Sequence, residues 1–299
     1  MIDNCSGPFY GNHMAKYVPD VKTERWVVIA PSRTNRPKEE KSNTNETKKP
    51  AVCPFCTGNE ALTPPEFYRI GGGEPDTPGW DVRVVPNKYP ITDVHEVIIH
   101  SPSPTDDIEI LPNDHVAKIF TAYRDRAKIN EEYGQVIIFC NHGLSAGASL
   151  AHPHSQLVVV PKQINLDAVS LEPANSLVET TDHFQVFCPD FSQWPYEVWI
   201  APKETGARFS EVQDDMIPEI ASIVKKTLLR IKAAIIDHPA EGTKEEPFVY
   251  NYYIYHGTDW FIRIIPRMIH RAGFELGTGL SVNVVDPSIA AERLKEIKI

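Results

Sequence analysis

The chain has 299 residues, 41% of them apolar, and a formal net charge of −10 from 30 Lys and Arg against 40 Asp and Glu. Such a chain can build one large core or two medium ones, and it contains nothing like the roughly eighteen consecutive apolar residues of a membrane helix, so no membrane partner is expected. Its acidic balance argues against nucleic acid, which needs several cations on one face, while its 5 cysteines and an N-terminus without a basic-then-apolar stretch point to a reducing, cytoplasmic setting without disulfides.

In chain order, Thr34 to Asn45 is a polar tract without apolar period and reads as a loop. Cys53-Pro54-Phe55-Cys56 follows, with the spacing of a zinc half-site; a redox pair or two buried thiols have the same spacing. His95 to Ser101 reads as a strand. Val116, Ile119, Phe120, Tyr123 and Ala127 fall at helical spacing after Asn113 and Asp114, which are the N-cap candidates. Val136 to Phe139 reads as a second strand. It leads into a loop of small residues from Asn141 to Ala151, whose glycines let backbone N–H groups approach an anion.

The loop ends at His152-Pro153-His154-Ser155-Gln156, which opens the apolar run Leu157 to Val160. Side chains two apart on a strand share a face, so His152, His154 and Gln156 line up. Buried without partners they would cost about 1–3 kcal/mol each, so a phosphate or a metal is expected beside them.

The remainder repeats this order. Ser192 to Pro195 and the strand-like Tyr196 to Pro202 precede a helix through Ile217, Ile220, Ile223, Val224, Leu228 and Ile231; strand-like stretches at Phe248 to Tyr255 and Asp259 to Pro266 follow. Aligning Pro161 with Pro266 places Asp259 at the position of His154 and Phe261 at that of Gln156, so the second copy lacks the histidine. Asp286-Pro287 announces a final helix.

Taken together, Asn141, Gly143, Gly147, Ser149 and His152 to Gln156, with the Cys53/Cys56 pair, Trp26 to Pro31 with Arg33 and Arg36, Pro86 to Pro90, and Gly273-Phe274-Glu275, resemble the galactose-1-phosphate uridylyltransferase family, a branch of the histidine-triad superfamily. The resemblance runs over nearly the whole chain. It implies an α+β fold of tandem histidine-triad-like halves, 1–170 and 171–299, around a mixed, mostly antiparallel sheet with flanking helices.

The resemblance further implies a hexose-1-phosphate nucleotidyltransferase working by double displacement through a nucleotidyl-His154. Uridylyl exchange between UDP-glucose and galactose 1-phosphate is the first reading. An adenylyl branch similar to plant ADP-glucose phosphorylase, a non-catalytic nucleotide- and zinc-binding relative, and a hydrolase are the alternatives. Gln156 argues against the hydrolase, because an amide can donate to a phosphoryl oxygen but cannot activate water as a base. By resemblance Arg33, Arg36, Asn87, Asn141, Gly147, Ser149, Phe274 and Glu275 contact substrate, and backbone N–H groups around Gly147 add donors. The resemblance likewise implies that Cys53, Cys56 and His152 bind a structural zinc. The family's fourth ligand follows a Ser-Pro where this chain has Ser103-Pro104-Thr105, which leaves His100 as a substitute and a three-ligand or empty site open. Nucleotide sugar and hexose 1-phosphate are the expected partners, in a homodimer.

Overall fold

The computed structural model describes residues 15–20, 25–35, 52–164, 166, 175–237 and 248–299. Arg36, most of the polar tract and the boundary expected at residue 170 lie outside the described residues. Strands β1 (Lys16–Asp20) and β2 (Arg25–Ile29) form a separate antiparallel pair. Next come β3 (Tyr68–Gly71), β4 (Trp80–Pro86), β5 (His95–Ile99), α1 (Asn113–Asn130), β6 (Gln135–His142) and β7 (His154–Val160). The same order returns in β8 (Ser176–Thr180), β9 (Phe184–Cys188), β10 (Val198–Pro202), α2 (Ile217–Asp237), β11 (Tyr250–Ile254) and β12 (Ile262–Pro266). Two helices, α3 (Gly273–Thr278) and α4 (Pro287–Glu296), close the chain.

Strands β3 to β12 form one ten-stranded sheet in the order β3-β4-β5-β7-β6-β11-β12-β10-β9-β8, a palindrome in which each strand of the first set mirrors its counterpart in the second. The two sets meet where β6 pairs with β11, from Ile138 opposite Ile254 to His142 opposite Tyr250. The fold is α+β as the motifs imply, and every strand pair among the described residues is antiparallel.

Strand alternation divides the sheet into two unlike faces. Ile98, Ile138, Leu157, Val159, Tyr252, Ile262 and Ile264 join the apolar sides of α1, α2 and α4 in the main core. Leu157 is fully buried there, and truncating such a leucine to alanine costs about 2–5 kcal/mol. On the opposite face the two sets diverge: Val85, Val97 and Ile99 pack with Trp80 and Phe55 of the Cys-x-x-Cys turn, while Phe187, Trp199, Ala201 and Phe261 form an aromatic cluster in the second set.

Two local expectations change. Helix α1 begins at Asn113 itself with Pro112 in the cap position and no side-chain cap, because the Pro112 carbonyl already accepts from Val116. Asp259, at the position aligned with His154, lies in a turn at φ 60°, where its carboxylate accepts the Gly206 N–H. Asp286 does cap α4, accepting from the Ser288 N–H at 2.9 Å, with Pro287 in the first turn.

Candidate active site

The site lies where β7 begins, between β5 and β6, on the sheet face away from the helices. His154 and Gln156 point to this face, while Ser155 between them points to α1, where its hydroxyl meets Tyr123 and Tyr252. The Nδ1 of His154 lies 2.8 Å from the backbone oxygen of His152. A carbonyl can only accept, so the proton sits on Nδ1 and Nε2 is the basic nitrogen. Phe55 meets the ring edge-on at 5.2 Å between centroids, which limits its rotation.

His152 uses its own ring differently. Its Nε2 donates to the Ser101 carbonyl at 2.9 Å, and its Nδ1 is 3.5 Å from Cys53 Sγ and 3.7 Å from Cys56 Sγ. Zinc bonded tetrahedrally at about 2.3 Å to sulfur and about 2.0 Å to nitrogen separates the two donor atoms by roughly 3.5 Å. The three residues therefore fit a metal ion, and the Ser101 contact is the outer hydrogen bond that fixes the tautomer of a ligating histidine. Burial pushes the Cys53 thiol up, but hydrogen bonds from His152 and the Phe55 backbone outweigh it and hold this thiol below its usual range. Cys56 is pushed up, first by burial and then by Cys53.

The structure does not bring His100 to this cluster. Its Nε2 lies 2.7 Å from Ser155 Oγ and 2.9 Å from Tyr123 Oη, on the helix side of the sheet, and the ring is fully buried. That burial pushes its pKa down to about 3, against a partial upward pull from Asp107. Position in the sheet, which sets the face, overrides nearness to the Ser-Pro in sequence.

Gln156 is nearly fully buried, and its Oε1 lies 2.9 Å from His95 Nε2 and 3.4 Å from Asn87 Nδ2. Asn87 is thus next to Gln156, and neither of the two lines the cavity beside His154. Arg33 reaches the same segment, donating from Nη1 to the Tyr89 carbonyl at 2.8 Å.

A cavity of about 300 Å³ opens beside His154, lined by Asn141, His142, Gly143, Leu144, Ala148, Leu150, His152 and Asp107 among others. Asn141 Oδ1 accepts from Asn251 Nδ2 at 2.8 Å, so the Asn141 amide turns its NH2 away from Asn251. Asn251 comes from β11 and also donates to the Ala146 carbonyl at 2.9 Å, holding the small-residue turn. Gly143 and Gly147 occupy the left-handed region at φ 84° and 91°, which lets this turn close.

The N–H groups expected to serve as anion donors are otherwise engaged. Those of Ala146 and Ala148 donate to the Gly143 carbonyl and that of Gly147 donates to Leu144, closing the turn on itself. Gly147 therefore shapes the loop, and neither it nor Ser149 lines the cavity, although Ala148 and Leu150 do. Phe274 and Glu275 do not line it either. They sit on the exposed α3, where Glu275 accepts from the Ala272 N–H at its own helix start.

Three contributors were not evident from the sequence: His95, Asn251 and the His142–Asp107 pair. His142 Nε2 is 2.7 Å from Asp107 and its ring stacks on Tyr250 at 4.4 Å. Burial disfavours the imidazolium, yet Asp107 outweighs this and raises the His142 pKa. His142 follows Asn141 directly and Asp107 belongs to an Asp-Asp pair, which are the only sequence signals for them.

Residues 35–163 match the family model described as the N-terminal domain of a domain of unknown function, DUF4931. ADP-glucose phosphorylase of Arabidopsis thaliana is 28% identical, covering 94% of this chain and 92% of that protein. Galactose-1-phosphate uridylyltransferase of Thermotoga maritima is 22% identical over 93% and 96%. A crystal structure of an Arabidopsis thaliana ADP-glucose phosphorylase with bound ADP-glucose superposes with a TM-score of 0.70 at 25% identity, over 95% of this chain and 100% of that one. The resemblance carried by the motifs thus holds: the homologues and structural neighbours of this chain are enzymes, namely ADP-glucose phosphorylase and galactose-1-phosphate uridylyltransferase-like proteins of the histidine-triad superfamily.

Proposed function

We propose that the protein transfers a nucleotidyl group from a nucleotide sugar, through a covalent nucleotidyl-His154, to a phosphate-bearing acceptor. The observation that carries this reading is the hydrogen bond from His154 Nδ1 to the His152 carbonyl, beside the amide of Gln156. Nε2 attacks the α-phosphorus, the bond from phosphorus to the bridging oxygen breaks, and a sugar 1-phosphate leaves as a stable anion. The proton stays on Nδ1, where the carbonyl stabilises the positive ring. An acceptor phosphate oxygen then attacks the same phosphorus and releases the histidine.

Gln156 donates to a non-bridging oxygen in both steps and, lacking a basic nitrogen, favours phosphate over water as acceptor. Asn141 adds a donor from the neighbouring strand. Cys53, Cys56 and His152 would hold a zinc ion whose role is structural, fixing the segment that supplies the carbonyl to His154.

Between nucleotides, the adenylyl reading takes precedence: ADP-glucose and orthophosphate give glucose 1-phosphate and ADP. Its support is the 28% identity to ADP-glucose phosphorylase over nearly the full length of both chains. Uridylyl exchange between UDP-glucose and galactose 1-phosphate is the second reading, supported by the similarly extended match to the Thermotoga maritima enzyme. We place the protein in the cytoplasm as a homodimer, with nucleotide sugar and hexose 1-phosphate as partners. No helix among the described residues is long and apolar enough to cross a membrane.

Intact-mass analysis after incubation with ADP-glucose or UDP-glucose, in parallel, tests the chemistry. An adenylyl adduct discharged by orthophosphate is the expected result. A uridylyl adduct discharged by galactose 1-phosphate selects the second reading, and binding without any adduct overturns both.

A further inference from the structure

We infer that His95 is the positioning residue for Gln156, and that the segment 87–95 fixes which end of that amide faces the substrate. The inference deepens the transfer reading and rests on it. A glutamine side chain is nearly symmetric in shape, so packing alone leaves its oxygen and nitrogen interchangeable. Only the NH2 end can donate to a phosphoryl oxygen; the reverse orientation would turn a lone pair toward the anion.

Hydrogen bonds decide the orientation. The Ile91 N–H donates to His95 Nδ1 at 2.9 Å, so this nitrogen carries no proton and the ring is the neutral Nε2–H tautomer. That Nε2–H, 2.9 Å from Gln156 Oε1, can only donate to it. Beside it the Tyr89 N–H donates to Asn87 Oδ1 at 2.8 Å, which turns Asn87 Nδ2 toward both His95 Nε2 at 3.1 Å and the Gln156 oxygen at 3.4 Å; with the proton on that Nε2, the Asn87 amide can donate only to the oxygen. Two backbone N–H groups of one segment thereby deliver two donors to a single amide oxygen. A flipped Gln156 would oppose its NH2 to both. The orientation is thus set before substrate arrives, which is the condition for a donor to act on the transition state without reorganising.

His95 touches Gln156 rather than the reacting atoms, and its test needs variants that separate its two nitrogens. Asparagine at position 95 keeps an acceptor near Nδ1 but loses the distal donor, whereas glutamine keeps a distal donor. The rate of adduct formation from ADP-glucose and from UDP-glucose is measured by rapid quench and mass spectrometry. His95→Asn is expected to slow it by roughly tenfold or more, up to the roughly 10²–10³-fold of losing the Gln156 donor itself, with KM unchanged. His95→Gln restores most of the rate, and His95→Asn adds no further loss in a Gln156→Ala background.

Independent losses that multiply in the double variant overturn the inference, as does a folded His95→Asn with a wild-type rate. Wild-type protein that takes up no nucleotide overturns the transfer reading instead. The relay has its own readout in ¹⁵N NMR of the histidine rings: an Nε2–H tautomer at His95 is expected, and an Nδ1–H tautomer sinks it whatever the activity.

Discussion

The carbonyl of His152 holds the ring of His154, 2.8 Å from its Nδ1, while the ring of His152 is turned to Cys53 and Cys56. One residue thus presents its side chain to the cysteine pair and its backbone to the proposed nucleophile. The intervening Pro153 fixes φ and keeps this pair of roles apart.

His154→Gly removes the attacking nitrogen and leaves the sheet intact. The adduct should vanish in intact-mass spectra, and turnover should fall by at least roughly 10⁴-fold, while the thermal transition remains cooperative. Adduct formation in this variant would relocate the nucleophile.

Gln156→His exchanges a donor that cannot act as a base for one that can. The ratio of hydrolysis to transfer should rise, read as free nucleotide released without acceptor. Gln156→Ala should instead slow both routes by about 10²–10³-fold and leave their ratio low.

Cys53→Ser weakens the cluster that holds His152. Bound zinc per chain, measured by elemental analysis, should fall toward zero, and the melting temperature should drop. Added zinc should raise the melting temperature of chelator-treated wild type but not of the variant. The rate of adduct formation should fall as well, because the His152 carbonyl is then less well placed.

His100 is buried and neutral, with its pKa pushed down to about 3 by burial against an ordinary value of 6.5. Between those values the unfolded chain binds a proton that the folded chain refuses, so stability rises with pH across the window and is lost as pH falls below about 6.5. Within the window His100 alone contributes a slope of about 1.4 kcal/mol per pH unit. Urea titrations across the window should show it, and His100→Gln, which keeps a donor toward Ser155, should flatten it.

What the sequence made legible was local. The spacing of His154 and Gln156 gives their common face, and the repeated order of strand and helix stretches gives three of the five strands in each set, though not the order in which they pair. What it hid depends on contacts across the fold: His95 reaches Gln156 across 61 residues and Asn251 reaches Asn141 across 110. The distance of His100 from the cysteines has the same origin. Its neighbours along the chain suggested a ligand, but the sheet turns its ring to Tyr123 and Ser155, which no local pattern announces. Likewise the glycine turn suggested available N–H groups, and only the folded loop shows them bonded to Gly143 and Leu144.

The seam between β6 and β11 gives the silent repeat a reason to persist. Without it, β6 would present an unpaired row of amides and carbonyls beside the cavity, an invitation to aggregation. The second set of strands also lends Asn251 to Asn141, beside the proposed nucleophile. On the proposed reading the second set of strands serves as a brace for the first, and separating the two sets should leave neither able to form the adduct.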